Sequence, residues 1–169
     1  MAERSCRVFG PGEGQRYEAR GSVMHFKAGS LSTGGRFSLM ERTLPPGGRM
    51  PPPHVHVDCD EAYYVLDGRV TFILEGVERT EGAETFVLVP GDAAHTFGNR
   101  SAAAARLLVL HSPPLDGYFA ALDALWRSPR APSVEDERAL MSRFGMRPAK
   151  ATPRSLRPRR RTARPRTPA

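Results

Sequence analysis

The 169-residue chain predicts an all-β domain, an antiparallel sandwich or barrel, followed by two C-terminal helices. Three observations carry this. Eight to ten short apolar or alternating runs recur between residues 22 and 111, with turn-forming residues between them. Asp67-Gly68 stands between two such runs, 61–66 and 69–74, and is a strong signal for a two-residue hairpin. After Pro113-Pro114 the apolar spacing changes from the period of a strand to that of a helix.

Residues 1–21 are rich in Gly and charge and read as an irregular lead-in with room for one edge strand. The barrel is assigned to 22–112. Its first strand is 22–27, followed by loop chemistry in A-G-S-L-S-T-G-G. Residues 36–44 alternate, with Phe37, Leu39 and Glu41 on one side and Ser38, Met40 and Arg42 on the other. Neither face is uniformly apolar. Pro45-Pro46-Gly47-Gly48 ends that strand. Pro51-Pro52-Pro53 cannot donate to a ladder, which places the next segment at a sheet edge or in a stiff, extended approach. After the hairpin, Glu75-Gly76 turns and 77–84 are mostly charged and exposed. Residues 85–89 form a strongly apolar strand stopped by Pro90-Gly91, 95–97 form a short one, and 106–111 (R-L-L-V-L-H) form a buried one.

The helical segment is assigned to 113–146. Tyr118, Phe119, Leu122, Leu125 and Trp126 follow the spacing of one helical face. A second helix opens at Pro132-Ser133, with Asp136 at the capping-box position, and stops at Gly145. Residues 147–169 are Pro- and Arg-rich without periodicity, which predicts a disordered tail.

The formal charge of +7 is concentrated in that tail. Residues 147–169 hold eight Arg, one Lys and no acidic residue, leaving 16 basic and 18 acidic residues in 1–146. The folded part is therefore close to neutral. Arg157–Arg161 can contact nucleic-acid phosphates in a salt-sensitive way; a solvated tail without a partner is the preferred reading. Two cysteines make no disulfide framework and point to a reducing compartment. No apolar run has the length of a membrane span, and the first residues lack the apolar centre of a secretory signal, so a cytoplasmic location without membrane contact is expected.

The chemistry concentrates between Gly48 and Gly68. His54 and His56 are two apart, so on an extended strand both imidazoles point to one side. Glu61 opens the next strand. Two imidazoles and a carboxylate converging from neighbouring strands suit a first-row divalent ion.

The spacing G-x5-H-x-H-x4-E-x6-G is met in full by Gly48, His54, His56, Glu61 and Gly68. It resembles the first motif of the cupin superfamily. A second motif, G-x5-P-x-G-x2-H-x3-N, is matched by Pro90, His95 and Asn99. Its two glycine positions are Glu84 and Asp92 here, which predicts a differently shaped turn before His95. The resemblance covers 36–111, and the following helices also look like those of small bacterial cupins compared with quercetin dioxygenase. It implies a jelly-roll (double-stranded β-helix) barrel with a metal held by His54, His56, Glu61 and His95. This donor set suits Fe, Mn, Ni, Co, Cu or Zn without choosing among them, and in a six-coordinate ion leaves two positions open.

Tyr63 has the strand parity of Glu61 and is assigned to a substrate pocket with Phe97 and His25. The competing readings make Phe97 core and His25 a hydrogen-bonded strand histidine. Cys59 lies in the turn between ligands and reads as an oxidation-prone thiol rather than a ligand. His111 ends a strand and reads as structural. By resemblance, the function expected is that of a metal-dependent, dioxygenase-like oxidoreductase acting on a small phenolic or enolic molecule, with Glu61 as its base. The alternatives are a non-catalytic small-ligand-binding cupin and a cupin isomerase, cyclase or decarboxylase. A homodimer is implied by resemblance alone.

Overall fold

A computed structural model describes residues 5–150. The chain runs β1 (Gln15–Ala19), β2 (Ser22–Ala28), α1 (Ser30–Thr33), β3 (Ser38–Leu44), β4 (His54–His56), β5 (Asp60–Asp67), β6 (Arg69–Leu74) and β7 (Val77–Gly82). It continues through β8 (Phe86–Val89), β9 (His95–Gly98), β10 (Ala105–Ser112), α2 (Asp116–Trp126), α3 (Val134–Arg143) and β11 (Met146–Pro148). The strands form a six-stranded sheet in the order β1-β2-β3-β10-β5-β8 and a five-stranded sheet in the order β11-β4-β9-β6-β7. Every pairing is antiparallel. The inner faces enclose one core, with Met24, Met40, Tyr63, Val65, Phe72 and Leu107 almost wholly buried. The jelly-roll expectation holds.

Alternation decides which side chains reach that core. Along β10, Ala105, Leu107, Val109 and His111 point inward, and along β3 Ser38, Met40, Arg42 and Leu44 do so. The inner face of β3 thus carries a serine and an arginine among apolar residues. Asp67-Gly68 turns the chain, with Gly68 at φ 74°, but the expected two-residue hairpin does not form: β5 lies in the six-stranded sheet and β6 in the five-stranded one, so the turn carries the chain from one sheet to the other and the two strands do not pair. A Cβ on Gly68 would lie 2.6 Å from the Ala104 carbonyl oxygen, so glycine is required on two counts. Residues 86–89 form the expected strand, but Phe86 and Leu88 face outward. Their apolar character reflects an outer surface at a sheet edge rather than a doubly buried strand.

Several expectations need correction. The charged stretch after Glu75-Gly76 is a strand, β7. It pairs along its whole length with β6, and Thr71 and Thr80 share a hydroxyl hydrogen bond of 3.0 Å. The loop after β2 contains one helical turn, α1, closed by Gly34 at φ 65°. The lead-in does hold an edge strand, β1.

The largest correction concerns the C-terminal boundary. The expected tail begins inside β11, because Met146–Pro148 pairs with His54–His56 and Met146 is 1% exposed. A Pro–Arg composition hid a three-residue strand whose only apolar member is its first. The rest of that tail, 151–169, with Arg157–Arg161, lies outside the described residues.

The second helix starts as read. Ser133 Oγ accepts from the Asp136 amide at 3.1 Å, and Asp136 Oδ2 accepts from the Ser133 amide at 2.8 Å. Tyr118 and Phe119 of α2 and Met141 of α3 close one end of the barrel, with Phe119 packed 5.4 Å from Phe26, ring centre to ring centre.

Met146 anchors β11 over the ligand strand. Met146→Ala is expected to cost about 2–4 kcal/mol of stability, read from urea unfolding, because a fully buried side chain leaves a cavity.

Candidate metal centre

The two sheets bring different parts of the site. His54 and His56 on β4 and His95 on β9 come from the five-stranded sheet, where His54 stands opposite His95. Glu61 on β5 comes from the six-stranded sheet, where it stands opposite His111 on β10. All five side chains are buried. Pro51-Pro52-Pro53 precedes β4 as extended chain rather than lying in the ladder. Its carbonyls are used: Thr96 donates to that of Pro51 at 2.7 Å and His54 Nδ1 to that of Pro52 at 2.8 Å.

These backbone contacts set the tautomers. The Nδ1 of His54 faces the Pro52 carbonyl, and the Nδ1 of His95 faces the Ala93 carbonyl at 2.9 Å. A carbonyl only accepts, so each Nδ1 carries the proton and each Nε2 presents a lone pair. Those lone pairs point at one place. His54 Nε2 is 3.2 Å from His56 Nε2, and Glu61 Oε2 is 3.1 Å from His56 Nε2 and 2.9 Å from His95 Nε2. The four ligand atoms all lie within 4.8 Å of one another.

Two acceptors facing each other at 2.9 Å, as His95 Nε2 and Glu61 Oε2 do, attract only with a proton or a cation between them. Bonds of about 2.1 Å at right angles separate neighbouring ligands by about 3 Å, the spacing found here. The donor set therefore fits a divalent transition metal.

Electrostatics agree. Burial, reinforced by the charges His95 and His56 would carry, drives His54 down to about 3, so it stays a neutral ligand. Burial works to raise the Glu61 carboxyl. The charge of His111 comes first, and with the polar contacts of His111, His56 and His95 it outweighs burial and holds Glu61 well below the usual range. Burial works to lower His95, and its contact with Glu61 outweighs that to raise it.

His111 belongs to the site, contrary to its reading as merely structural. Its Nε2 donates to Glu61 Oε1 at 2.9 Å, and its Nδ1 lies 3.5 Å from Ser38 Oγ. The Leu115 amide occupies that hydroxyl as donor, leaving the serine proton free to face Nδ1. One Glu61 oxygen is thus held by His111 while the other faces the ligand imidazoles. The signal was present in the sequence as strand parity, since His111 is in phase with Leu107 and Val109.

The substrate-pocket assignments divide. Phe97 lines the cavity beside the ligands. Tyr63 lies on the same inner face as Glu61, packed against Phe72 and Phe97, and its hydroxyl has no hydrogen-bond partner. Burial and the nearby Glu61 charge push that phenol well above its usual pKa. His25 is a correction. It has the opposite parity from the buried Met24 and Phe26, stands between Arg16 and Glu41 on the outer face, and does not reach the site.

Cys59 is buried in the turn, donates to the Pro113 carbonyl at 3.4 Å, and is not among the converging ligands. Burial and Glu61 raise its thiol to about 11, which argues against ready oxidation.

The two missing glycines leave non-glycine residues in a backbone conformation that favours glycine. Glu84 and Asp92 have φ of 67° and 64°, the left-handed region that glycine enters without cost. The neighbouring Gly82 and Gly91 do not substitute for them there. Asp92 is held by its amide, which donates to the His56 carbonyl at 2.8 Å, and by Arg147, also at 2.8 Å.

The cavity in front of the ligands is small, about 20 Å³, room for about one water, and every residue that lines it is buried. A roomier hollow of about 480 Å³ beside Tyr17, Lys27 and Leu31 contains none of the ligands.

Residues 40–111 match the family model described as "Cupin domain". Among curated proteins, quercetin 2,3-dioxygenase of Bacillus subtilis (strain 168) is 36% identical over 86 residues, which is 50% of this chain and 23% of the relative. The chain thus spans less than a quarter of that relative's length. Two solved structures share the fold. The polyketide cyclase RemF from Streptomyces resistomycificus has 19% identity and a TM-score of 0.58, covering 83% of this chain and 96% of its own. KdgF from Halomonas sp. has 19% identity and a TM-score of 0.58, covering 67% and 98%.

Loss of either type of ligand tests the centre. His54→Ala and Glu61→Ala should each sharply lower bound metal, read by elemental analysis; unchanged stoichiometry in both would refute the ligand set. His111→Ala should weaken metal binding about 10–100-fold in a chelator competition, because Glu61 loses its orienting partner. With Ellman's reagent at pH 8, the native protein should show the exposed Cys6 thiol reacting quickly and Cys59 reacting only on unfolding.

Proposed function

We propose, from the premise that the chain belongs to the cupin superfamily, that it is a metal-dependent oxidoreductase of the dioxygenase type acting on a small phenolic or enolic molecule. The observation that carries this reading is the convergence of ligand atoms from His54, His56, His95 and Glu61 within 4.8 Å of one another, in a cavity lined by buried side chains. The 86-residue likeness to quercetin 2,3-dioxygenase supports the choice of chemistry.

His54, His56, Glu61 and His95 would hold the ion. When bound, it supplies Lewis-acid polarisation of a substrate oxygen together with redox chemistry. The protein's own residues do the rest. Glu61 accepts the proton of the substrate hydroxyl. His111, bonded to Glu61 Oε1, keeps the carboxylate oriented while that proton arrives. Phe97, with Tyr63 packed against it, offers an apolar wall for an aromatic or enolic ring once the barrel opens, since the cavity as it stands has room for about one water. Both atoms of one O2 enter the product.

A second reading has its own observation. The Glu61–His111 pair is an acid–base couple that needs no oxidant, which suits a redox-neutral isomerase or cyclase.

Anaerobic loading with Fe, Mn, Ni, Co, Cu or Zn, followed by O2 electrode measurements with flavonols and other enols, separates these. The expected result is one metal form that consumes O2 in step with substrate loss. Substrate conversion without O2 uptake would select the redox-neutral reading. A ligand-induced rise in melting temperature without any conversion would leave a binding protein.

A further inference from the structure

The closed end of the barrel holds a buried charge cluster that the metal centre does not explain. Arg20 and Arg42 line the same small cavity as His54, His56 and Glu61. Both are almost fully buried, at 4% and 2% exposure. Arg20 reaches across to α3, where its Nε donates to Glu137 Oε2 at 3.0 Å and its Nη2 lies 2.9 Å from the same oxygen. Glu137 is completely buried, and its Oε1 has no hydrogen-bond partner, with Arg49 standing off at 3.7 Å. Arg42 donates only to Ser22 Oγ, at 3.3 Å, and otherwise lies over the Phe97 ring; its Nε has no partner.

A buried guanidinium with an unused N–H is costly unless something is meant to meet it. The charges make the same point. Arg20 and Arg42 are balanced by Glu61 and Glu137 only while the ligand cluster is empty of metal. A divalent cation adds two positive charges to this interior, and no further buried carboxylate lines it among the described residues. A metal-loaded site is therefore short of negative charge, and Arg42 presents the fork geometry that receives a carboxylate.

We propose that the substrate carries a carboxylate in addition to its metal-directed oxygen, that Arg42 and Arg20 receive this carboxylate, and that Glu137 occupies its place in the closed form. The cavity of about 20 Å³ is too small for such a molecule. Entry therefore requires α3 and the β11 strand behind it to move aside, breaking the Arg20–Glu137 pair. The incoming carboxylate replaces the one that leaves, so Arg20 is not left unpaired. This rests on the metal-centre reading for the second oxygen, while the arginine subsite stands on its own contacts.

Salicylate and phenol make a suitable pair of probes, differing by the carboxylate. Calorimetric titration of the Zn(II)-loaded full chain should show salicylate binding at least about tenfold tighter than phenol. Glu137→Gln keeps the side-chain shape but removes the competing charge, and should tighten salicylate about tenfold more than it tightens phenol. If Glu137 served only to fasten α3, the substitution would tighten both probes alike, and the proposal would fall. Arg42→Met should abolish the preference for salicylate, and it carries the test should Glu137→Gln not fold. Equal binding of the two probes by the wild type and by Glu137→Gln, with metal content normal, overturns the arginine subsite and leaves the metal centre standing. If no metal is taken up, the centre itself fails. Metal-free Glu137→Gln then still decides the subsite, by a salicylate preference or its absence.

Discussion

Glu61 is 3% exposed and sits where the two sheets face each other, so its charge has to be met without water. The molecule meets it from both sides. His111, on the neighbouring strand of the same sheet, donates to one oxygen, and the imidazoles of the opposite sheet converge on the other. That arrangement makes the carboxylate tolerable in the interior and simultaneously turns it into a ligand. Carbonyls of Pro52 and Ala93 then dictate which imidazole nitrogen is free, so the site is organised by backbone placed by the sheets themselves.

The same economy governs the closed end. α3 does not simply cover apolar surface. It delivers Glu137 to a guanidinium from β1's exit, 117 residues earlier in the chain, and leads directly into β11, which completes the sheet beside the ligand strand. Cover, ligand strand and charge cluster are therefore mechanically joined. A motion that breaks the Arg20–Glu137 contact bears on the strand that presents His54 and His56.

Much of this was legible beforehand. The His54/His56 pair was readable because residues two apart on a strand share a face, which is local; Glu61 and His95 were readable from motif spacing, because they come from the opposite sheet and from 34 residues further on. The Ser133–Asp136 cap was readable because it too is local, whereas Asp67-Gly68 gave the turn but not its outcome, because local chemistry does not say that the next strand joins the other sheet. β3 was half legible. Its lack of a clean apolar face was visible, but not that the side bearing Ser38 and Arg42 would be the inner one, because alternation gives two faces without saying which meets the core. The departures at Glu84 and Asp92 pointed to an altered turn, and the backbone at both positions is left-handed although neither residue is glycine. β11 was missed because three residues of mixed character acquire strand geometry only from the partner beside them.

The sequence by itself thus determined the shared face of His54 and His56, since residues two apart on a strand point the same way whatever the rest of the chain does, and its motif spacing pointed to the rest of the ligand set and the class of fold. Only the tertiary structure decided that His111 orients Glu61, that His25 faces away, and that Arg20, Arg42 and Glu137 form one buried cluster next to the ligands. The His111–Glu61 and Arg20–Glu137 contacts are made by sheet pairing and helix packing between residues 50 and 117 positions apart, over which spacing carries no information about contact.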